Sequence, residues 1–320
     1  MAELTVHLFG KFSIGADRPD GLSLPGGKTQ ELFFYLMLHR HQLHSREAMA
    51  ALLWPECSTV KSRKNLRQAL WQLQTALASF TRNGKYAFLT IDAESIHMNG
   101  DKAMSVDVSI FERSYQEVCG VAGKALDINQ AKILERAVDL YRGDLLEGCY
   151  EDWCLVERER LQNWYLIMLE KLICYSRKEH EYTRAVEYGE KILRLDRAHE
   201  RTYRQLMRTF YESGNRTAAL RQYDRCKVAL EEELGVAPSQ QTQKLYEQIR
   251  KEEVGNRTIE ENRTADFVPP TAVGHLKQLL EFITRIELQV KEELQTVWSK
   301  SQKSGRRPNP KPIENGRAAG

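Results

Sequence analysis

Residues 58–77 read STVKSRKNLRQALWQLQTAL, and this stretch decides the fold of the chain. Its leucines recur at intervals of four, three and four residues, which is the spacing of one buried stripe on a helix; they are Leu66, Leu70, Leu73 and Leu77. At about 100° per residue, the opposite face carries cations, amides and one indole: Lys61, Lys64, Gln68, Trp71 and Thr75, with Arg67 on the flank.

All the charged residues in and around this stretch are positive. No Asp or Glu occurs from Cys57 to Ile91, whereas six Lys and Arg residues do. An ordinary exposed helix mixes signs, because Glu–Lys pairs one turn apart stabilise it. A uniformly basic face suits a polyanion: Lys and Arg neutralise phosphates, while Asn, Gln and Arg can form paired hydrogen bonds with base edges. The alternative is a solvated basic helix that binds no ligand.

The whole composition is that of a soluble globular protein with room for two domains. The chain has 320 residues, of which 42% are hydrophobic and 28% charged. A formal net charge of +3 means that any preference for nucleic acid must come from how the charge is distributed. The apolar runs are too short to span a bilayer, and the N-terminus is not a signal peptide, so a cytoplasmic protein without membrane contact is expected.

Neither a metal site nor a nucleotide site is predicted. The six cysteines contain no C-x-x-C pair, which favours reduced thiols over zinc ligands. Gly27-Lys28-Thr29 resembles the end of a phosphate loop, but G-x-x-x-x-G-K-[ST] requires glycine at position 22, where Leu22 stands. Lys28 and the free N–H groups of a helix N-terminus suit a DNA phosphate better. Without a cofactor, a small-molecule ligand or a catalytic constellation, the chain is not predicted to be an enzyme.

The first part of the chain has the element order of a winged helix-turn-helix. The predicted order is strands at Leu4–Ile14 and Leu22–Leu24, a helix at Glu31–Arg40, a helix capped by Ser45 and ended by Pro55, the basic helix, and a hairpin formed by Tyr86–Ile91 and Ser95–Met98. Arg82 and Lys85 stand where the basic helix meets the hairpin, which places them close to backbone phosphates. This domain is predicted to comprise residues 1–104.

Residues 105–252 have helical periodicity and contain an internal repeat. Ala185 and Ala219 occupy equivalent positions 34 residues apart, which is the period of the tetratricopeptide helix pair. Such repeats either stack only as packing units or offer a concave surface to a partner. The predicted fold is therefore mainly α with a small β component: a winged helix-turn-helix followed by an α-helical, tetratricopeptide-like repeat domain.

The last part of the chain is predicted to consist of three segments. Residues 253–272 are polar and contain Pro269-Pro270, which indicates a linker. Residues 273–300 have an apolar seam alternating three and four residues, typical of an amphipathic helix that pairs with a second copy or docks on the repeat domain. Residues 301–320 are expected to be a disordered tail.

With both halves considered, the chain resembles the SARP family of bacterial transcription activators, in the short form that lacks an ATPase module. The resemblance covers roughly residues 1–250 and is carried by five motifs: Lys64-Asn65-Leu66-Arg67-Gln68-Ala69-Leu70, Ala137 to Leu146, Asp152-Trp153 with Glu157-Arg158-Glu159-Arg160-Leu161, His199-Glu200-Arg201 with Leu206-Met207-Arg208, and Glu233 to Ser239. It implies an OmpR-like winged helix followed by a bacterial transcriptional activator domain.

The resemblance implies an activator that binds direct-repeat promoter DNA, often as side-by-side protomers, and contacts RNA polymerase. The residues expected to contact DNA from the reader helix are Lys61, Arg63, Lys64, Asn65, Arg67, Gln68 and Trp71. Lys28, Arg82 and Lys85 are expected to contact phosphates. Trp71 either lies against a sugar or a thymine methyl group or packs on the wing. The alternative function is a repeat scaffold that binds proteins without specific DNA binding.

Overall fold

The computed structural model describes residues 4–15, 24–78, 88–99 and 104–252. The first part of the chain contains β1 Leu4–His7, β2 Ser13–Gly15, α1 Lys28–Leu38, β3 His44–Ser45, α2 Arg46–Leu53, α3 Thr59–Ala78, β4 Leu89–Ile91 and β5 Ser95–Met98. The second part contains β6 Met104–Val106, α4 Asp107–Glu117, α5 Ile128–Leu140, α6 Asp152–Lys178, α7 Tyr182–Leu195, α8 Glu200–Glu212, α9 Arg216–Leu234 and α10 Gln240–Arg250. The linker, amphipathic helix and tail predicted beyond residue 252 lie outside these ranges.

The N-terminal sheet has the order β2-β1-β6. Val6 pairs with Ile14 in the antiparallel partner β2 and with Val106 in the parallel partner β6. The single strand predicted at Leu4–Ile14 is therefore divided into β1 and β2. The second predicted strand, at Leu22–Leu24, falls mostly outside the described residues, and Leu24 belongs to no strand. The third strand of this sheet therefore comes from the region where the helical half begins.

The second sheet has the order β3-β5-β4 and contains the predicted wing. Strands β4 and β5 form an antiparallel hairpin in which Ile91 pairs with Ile96, and β3 adds to its edge. The turn predicted at Asn83-Gly84, with Arg82 and Lys85, lies outside the described residues. The hairpin follows α3 in the chain, so the strand-helix-helix-helix-hairpin order of a winged helix-turn-helix is confirmed.

Helices α2 and α3 form where their local sequence signals predict, whereas α1 spans Lys28–Leu38 instead of the predicted Glu31–Arg40. The Ser45 hydroxyl accepts a hydrogen bond from the Ala48 amide and caps α2, which ends immediately before Trp54-Pro55. The leucine stripe of α3 is buried: Leu66, Leu70, Leu73 and Leu77 are each no more than 2% exposed. Burial of this stripe fixes which face of α3 points to solvent.

Helices α7 to α10 form the predicted repeat. Ala185 in α7 and Ala219 in α9 are both fully buried, as expected for small residues that let helices approach closely. Gly189 packs so tightly that a Cβ atom there would lie 2.6 Å from Cδ2 of Leu206 in α8. Gly235 ends α9 in the left-handed conformation, with φ of 66°. None of the described helices is long and apolar enough to cross a bilayer.

The segment between α5 and α6 joins the two halves of the fold. The Leu146 amide donates to the Leu8 carbonyl over 2.8 Å, and the Glu147 amide donates to the Gly10 carbonyl over 3.0 Å. In return, the Gly10 amide donates to the carbonyl of Asp144 over 2.8 Å. One continuous apolar core extends from Val6 to Ile192 and includes residues of both halves. The winged helix and the first helices of the second half therefore share a core.

Candidate nucleic-acid interface

The outer face of α3 is an exposed surface of cations, amides and one indole. The side chains that the sequence assigns to this face are all exposed: Lys61, Lys64, Arg67, Gln68, Trp71 and Thr75. Trp71 is 65% exposed, although it is a large aromatic residue that ordinarily finds a partner. Asn65 is half-buried at the edge of this face. We call this group of seven residues the reader face.

The reader face carries uncompensated positive charge. Within the described ranges, no salt bridge forms at Lys61, Lys64 or Arg67. Arg63 is different, because its guanidinium lies 2.6 Å from the Glu47 carboxylate of α2. Both partners of that pair are more than half exposed, so solvent screens it and a phosphate could replace Glu47 at little cost. Three lysine or arginine side chains are thus free to meet a polyanion.

Helix α3 is held in place from its inner side. Its apolar stripe packs on α1 and α2, and the Thr29 hydroxyl of α1 donates to the Gln72 side-chain oxygen over 2.7 Å. The Ser62 hydroxyl donates to the Thr59 carbonyl over 3.1 Å within the first turn, which is a local bond that leaves the outer face clear. The reader face is therefore a fixed surface on a rigid helix.

Lys28 lies at the first position of α1 but is already paired. Its ammonium lies 2.6 Å from Glu31 and 2.9 Å from Glu151, which immediately precedes α6. Partial burial opposes its charge, but the hydrogen bonds with Glu31 and Glu151 outweigh that effect and raise the pKa of Lys28. These two carboxylates compete with any phosphate, so the predicted contact between Lys28 and DNA stays a prediction and is weakened by this geometry.

The structure shows contacts of the hairpin that were not predicted from the sequence. Arg46 ties the hairpin turn to α2, because its guanidinium donates to the Asp92 carbonyl over 2.9 Å and its amide donates to the Glu94 carbonyl over 2.9 Å. Asp92 and Glu94 are exposed, so this turn is acidic. Immediately after β5, the side-chain amide of Asn99 donates to the Thr90 hydroxyl of β4 over 2.5 Å. Alternation of polar residues along β4 and β5 is the signal that could have identified this polar face.

The described ranges contain no cluster of three His, Cys, Asp or Glu side chains placed to hold a metal ion. The recognisable features are instead a three-helix unit, a hairpin, a cationic helix face and tetratricopeptide-like helices behind them. This combination is a winged helix-turn-helix followed by a helical, tetratricopeptide-like part.

Comparison with known proteins finds regulatory proteins among the relatives of this chain. Residues 106–250 match the bacterial transcriptional activator domain. The regulatory protein AfsR of Streptomyces coelicolor is 29% identical over 171 residues, which are 46% of this chain but only 17% of AfsR. The transcriptional regulatory protein MoaR1 of Mycobacterium tuberculosis is 22% identical over 237 residues, covering 72% of this chain and 74% of MoaR1.

A solved structure shares the fold. The structure of Mycobacterium tuberculosis EmbR in complex with a low affinity phosphopeptide aligns with a TM-score of 0.59 and 17% identity. The alignment covers 79% of this chain and 66% of the EmbR chain. The domain match and the regulator relatives support the resemblance to the SARP family of transcription regulators, and the solved structure shows a shared fold.

Proposed function

We propose that this protein is a sequence-specific transcription activator that binds direct-repeat promoter sites through the reader face and contacts RNA polymerase through its helical repeat domain. In this proposal residues 1–104 bind DNA and residues 105–252 bind the polymerase. The observation that carries the proposal is the reader face itself. Its cations are exposed, unpaired within the described ranges, and fixed on a helix whose opposite side is buried.

The reader face offers two kinds of contact with a duplex. Lys61 and Lys64 can neutralise phosphates, which gives affinity without sequence preference. Arg67, Gln68 and Asn65 can make paired hydrogen bonds with purine edges in the major groove, which gives sequence preference. Trp71 is open to solvent, which favours its contact with a sugar or a thymine methyl group over packing within the protein.

The repeat domain supplies a second surface. An open groove of about 940 Å³ runs along α7 and is lined by residues of α7 and α8 and of the turns beside them, including Arg184, Lys191, Arg194 and Phe210. Concave faces of this kind bind extended segments of partner proteins. RNA polymerase is the partner that suits an activator, and binding of two protomers to adjacent half-sites would present two such domains side by side.

Genomic footprinting of the tagged protein tests the DNA-binding half of the proposal and yields the binding site. The recovered site is then used in footprinting of the purified Lys64→Ala and Arg67→Ala variants, with Lys132→Ala as the matched control, because Lys132 is an exposed lysine on α5. We expect protection with the wild type and the control, and loss of protection with both reader-face variants.

The alternative of a repeat scaffold gives a different result. A scaffold would show no protected promoter DNA, and all three variants would behave like the wild type. The polymerase half is tested separately by transcription in vitro from the recovered promoter with purified holoenzyme. DNA protection without stimulated transcription would remove the activator proposal and leave a DNA-binding protein of another kind.

A further inference from the structure

We propose that Val60 is a base-reading residue that selects thymine in the major groove by contact with its C5-methyl group. This inference rests on the proposed function, because it requires a duplex that lies against the reader face. The polar side chains of the reader face read hydrogen-bonding groups, whereas Val60 reads the apolar group of a base. 5-Methylcytosine carries the same methyl group at the same position, so it offers the same contact.

Val60 is exposed to an unusual extent for a large apolar residue. Its exposed fraction is 81%, the highest among the large hydrophobic side chains of the described residues, and it exceeds the 65% of Trp71 on the same helix. Single exposed apolar residues are common on protein surfaces, so exposure alone does not indicate a ligand. Valine at this position, however, stabilises α3 neither by burial nor by propensity, since it is a weaker helix former than alanine or leucine. Folding alone therefore gives no reason for a valine here.

Val60 extends a row of side chains that belongs to the reader face. Lys64, Arg67 and Trp71 follow it at intervals of four, three and four residues, and all four side chains are exposed. At about 100° per residue, they lie within about 60° of one another around α3. The rise of about 1.5 Å per residue separates Val60 from Trp71 by roughly 16 Å along the helix axis. A duplex that meets the cations between them therefore also meets Val60.

Within this row, Val60 occupies the end of the helix that meets base edges. The recognition helix of a helix-turn-helix contacts bases with its N-terminal residues, and Val60 is the second residue of α3. The first turn is ordered, because the Ser62 amide donates to the Ser58 carbonyl over 2.9 Å and the Ser62 side chain is buried. Ser62 lies about 200° round the helix from Val60, so its burial directs Val60 outward from a fixed backbone.

A branched hydrocarbon side chain distinguishes thymine from the other bases. The major-groove edge of thymine presents a methyl group, whereas cytosine and adenine present amino donors and guanine presents two acceptors. Valine can neither donate nor accept a hydrogen bond, so its contact with those polar groups displaces water without replacing the lost hydrogen bonds. In a helix the valine side chain has one strongly preferred rotamer. Little conformational entropy is therefore lost when Val60 packs against a methyl group.

Deoxyuridine provides the test, since it differs from thymidine only by the missing C5-methyl group. In one half-site of the promoter site recovered by footprinting, each thymine is replaced in turn by uracil, and the affinity of the full chain is titrated at constant salt. At one position we expect wild-type binding to weaken about four-fold, which corresponds to roughly 0.8 kcal/mol for one buried methyl group. At that position Val60→Ala should bind thymine and uracil equally, whereas Val60→Ile, which stays branched and apolar, should keep the preference.

5-Methylcytosine provides an independent readout at the same position. Exchange of the T·A pair for C·G removes the methyl group, and methylation of that cytosine restores it. The wild type should regain part of its affinity on methylation, and Val60→Ala should regain none. Trp71→Ala should behave like the wild type at this position, because Trp71 lies about three turns further along α3.

Val228→Ala is the matched control, because Val228 is an exposed valine on α9. Both valines are exposed, so neither change should disturb folding, and the control should keep the wild-type preference for thymine. Equal uracil penalties for the wild type and Val60→Ala, or no uracil penalty at any position, would overturn the inference while DNA binding itself stood. Unchanged recognition of thymine by Val60→Ala with loss of stimulated transcription would assign Val60 to a protein partner and overturn it too. A wild type that protects no DNA would remove the proposed function and this inference with it.

Discussion

The Lys28 ammonium lies 2.9 Å from the Glu151 carboxylate, which is 123 residues further along the chain. This pair connects the first turn of α1 in the winged helix with the start of α6 in the helical half. Beside it, the backbone bonds between Leu8–Gly10 and Asp144–Glu147 connect the same two parts. Rotation of one half against the other would break these contacts, so the reader face and the repeat domain are presented together.

Lys28→Met tests whether this lysine serves the junction or DNA. The lysine and Glu151 are each 36% exposed, so solvent screens the pair, and we expect a loss of at most about 1 kcal/mol in the free energy of unfolding. The dependence of DNA affinity on salt should stay that of the wild type. Urea unfolding and salt-titrated binding measure the two effects. A fall of roughly 0.9 in the logarithmic salt slope would instead assign Lys28 to a phosphate.

Gln68→Ala and Lys61→Ala are expected to separate sequence preference from affinity. Removal of an amide that reads a base should reduce discrimination against the wrong base by about 1–3 kcal/mol at one position of the site. Removal of the lysine should weaken binding to all sequences and lower the salt slope by roughly 0.9. Both residues are exposed, so the unfolding free energy should change by less than about 0.5 kcal/mol. Competition binding with singly substituted sites distinguishes the two; identical profiles would argue against base reading by Gln68.

Asp107→Ala should lower the free energy of unfolding, because Asp107 connects the start of α4 with the residues that follow β1. The Asp107 carboxylate is buried and accepts hydrogen bonds from the amides of Leu8 and Phe9 over 2.9 to 3.1 Å. The alanine variant leaves both amides without that acceptor, at an expected cost of about 2–4 kcal/mol in urea unfolding. The exposed Asp139→Ala is a suitable control and should change stability little. Equal stability of the two variants would show that water replaces the carboxylate.

The free energy of unfolding should also depend on pH through the carboxyl group of Asp107. Burial raises the pKa of Asp107 above its ordinary value of 3.8, although the Leu8 and Phe9 amides act in the opposite direction. The folded state therefore binds more protons than the unfolded state just above pH 3.8, and the contribution of this group to stability falls as the pH rises through its folded pKa. The unfolding free energy of wild type relative to Asp107→Asn, which does not titrate, should decrease in that range. An increase would mean that the amide bonds outweigh burial.

Local periodicity predicted much of this fold. The leucine spacing in α3, the Ser45 cap and the 34-residue alanine repeat each depend on residues within a few turns of one another, so the sequence displays them directly. Pairings between distant residues were not predicted, because nothing local to Lys28 indicates Glu151, and nothing near Val106 indicates that it pairs with Val6. The exposed face of α3 was predictable from the leucine stripe on its opposite, buried face. The salt bridge between Arg63 and Glu47 was not.

Gly123 shows a further long-range contact that only the structure reveals. A Cβ atom at this position would lie 2.7 Å from the Lys171 carbonyl oxygen and 2.7 Å from the Cys174 Cβ atom, both in α6. The Lys171 ammonium donates to the Val118 carbonyl over 3.0 Å and fixes the same turn on α6. The clash involves helix backbone, which cannot move aside as the end of a flexible side chain can.

Gly123→Ala should therefore cost about 1–3 kcal/mol in the free energy of unfolding, through displacement of the turn from α6. Gly26→Ala is the matched control, because a Cβ atom there meets nothing within 4 Å. We expect the control to be neutral or slightly stabilising, since alanine restricts the unfolded chain more than glycine does. Thermal and urea unfolding of the two variants measure the difference. If Gly123→Ala proved as stable as Gly26→Ala, close packing of this turn on α6 would not limit the side chain at position 123.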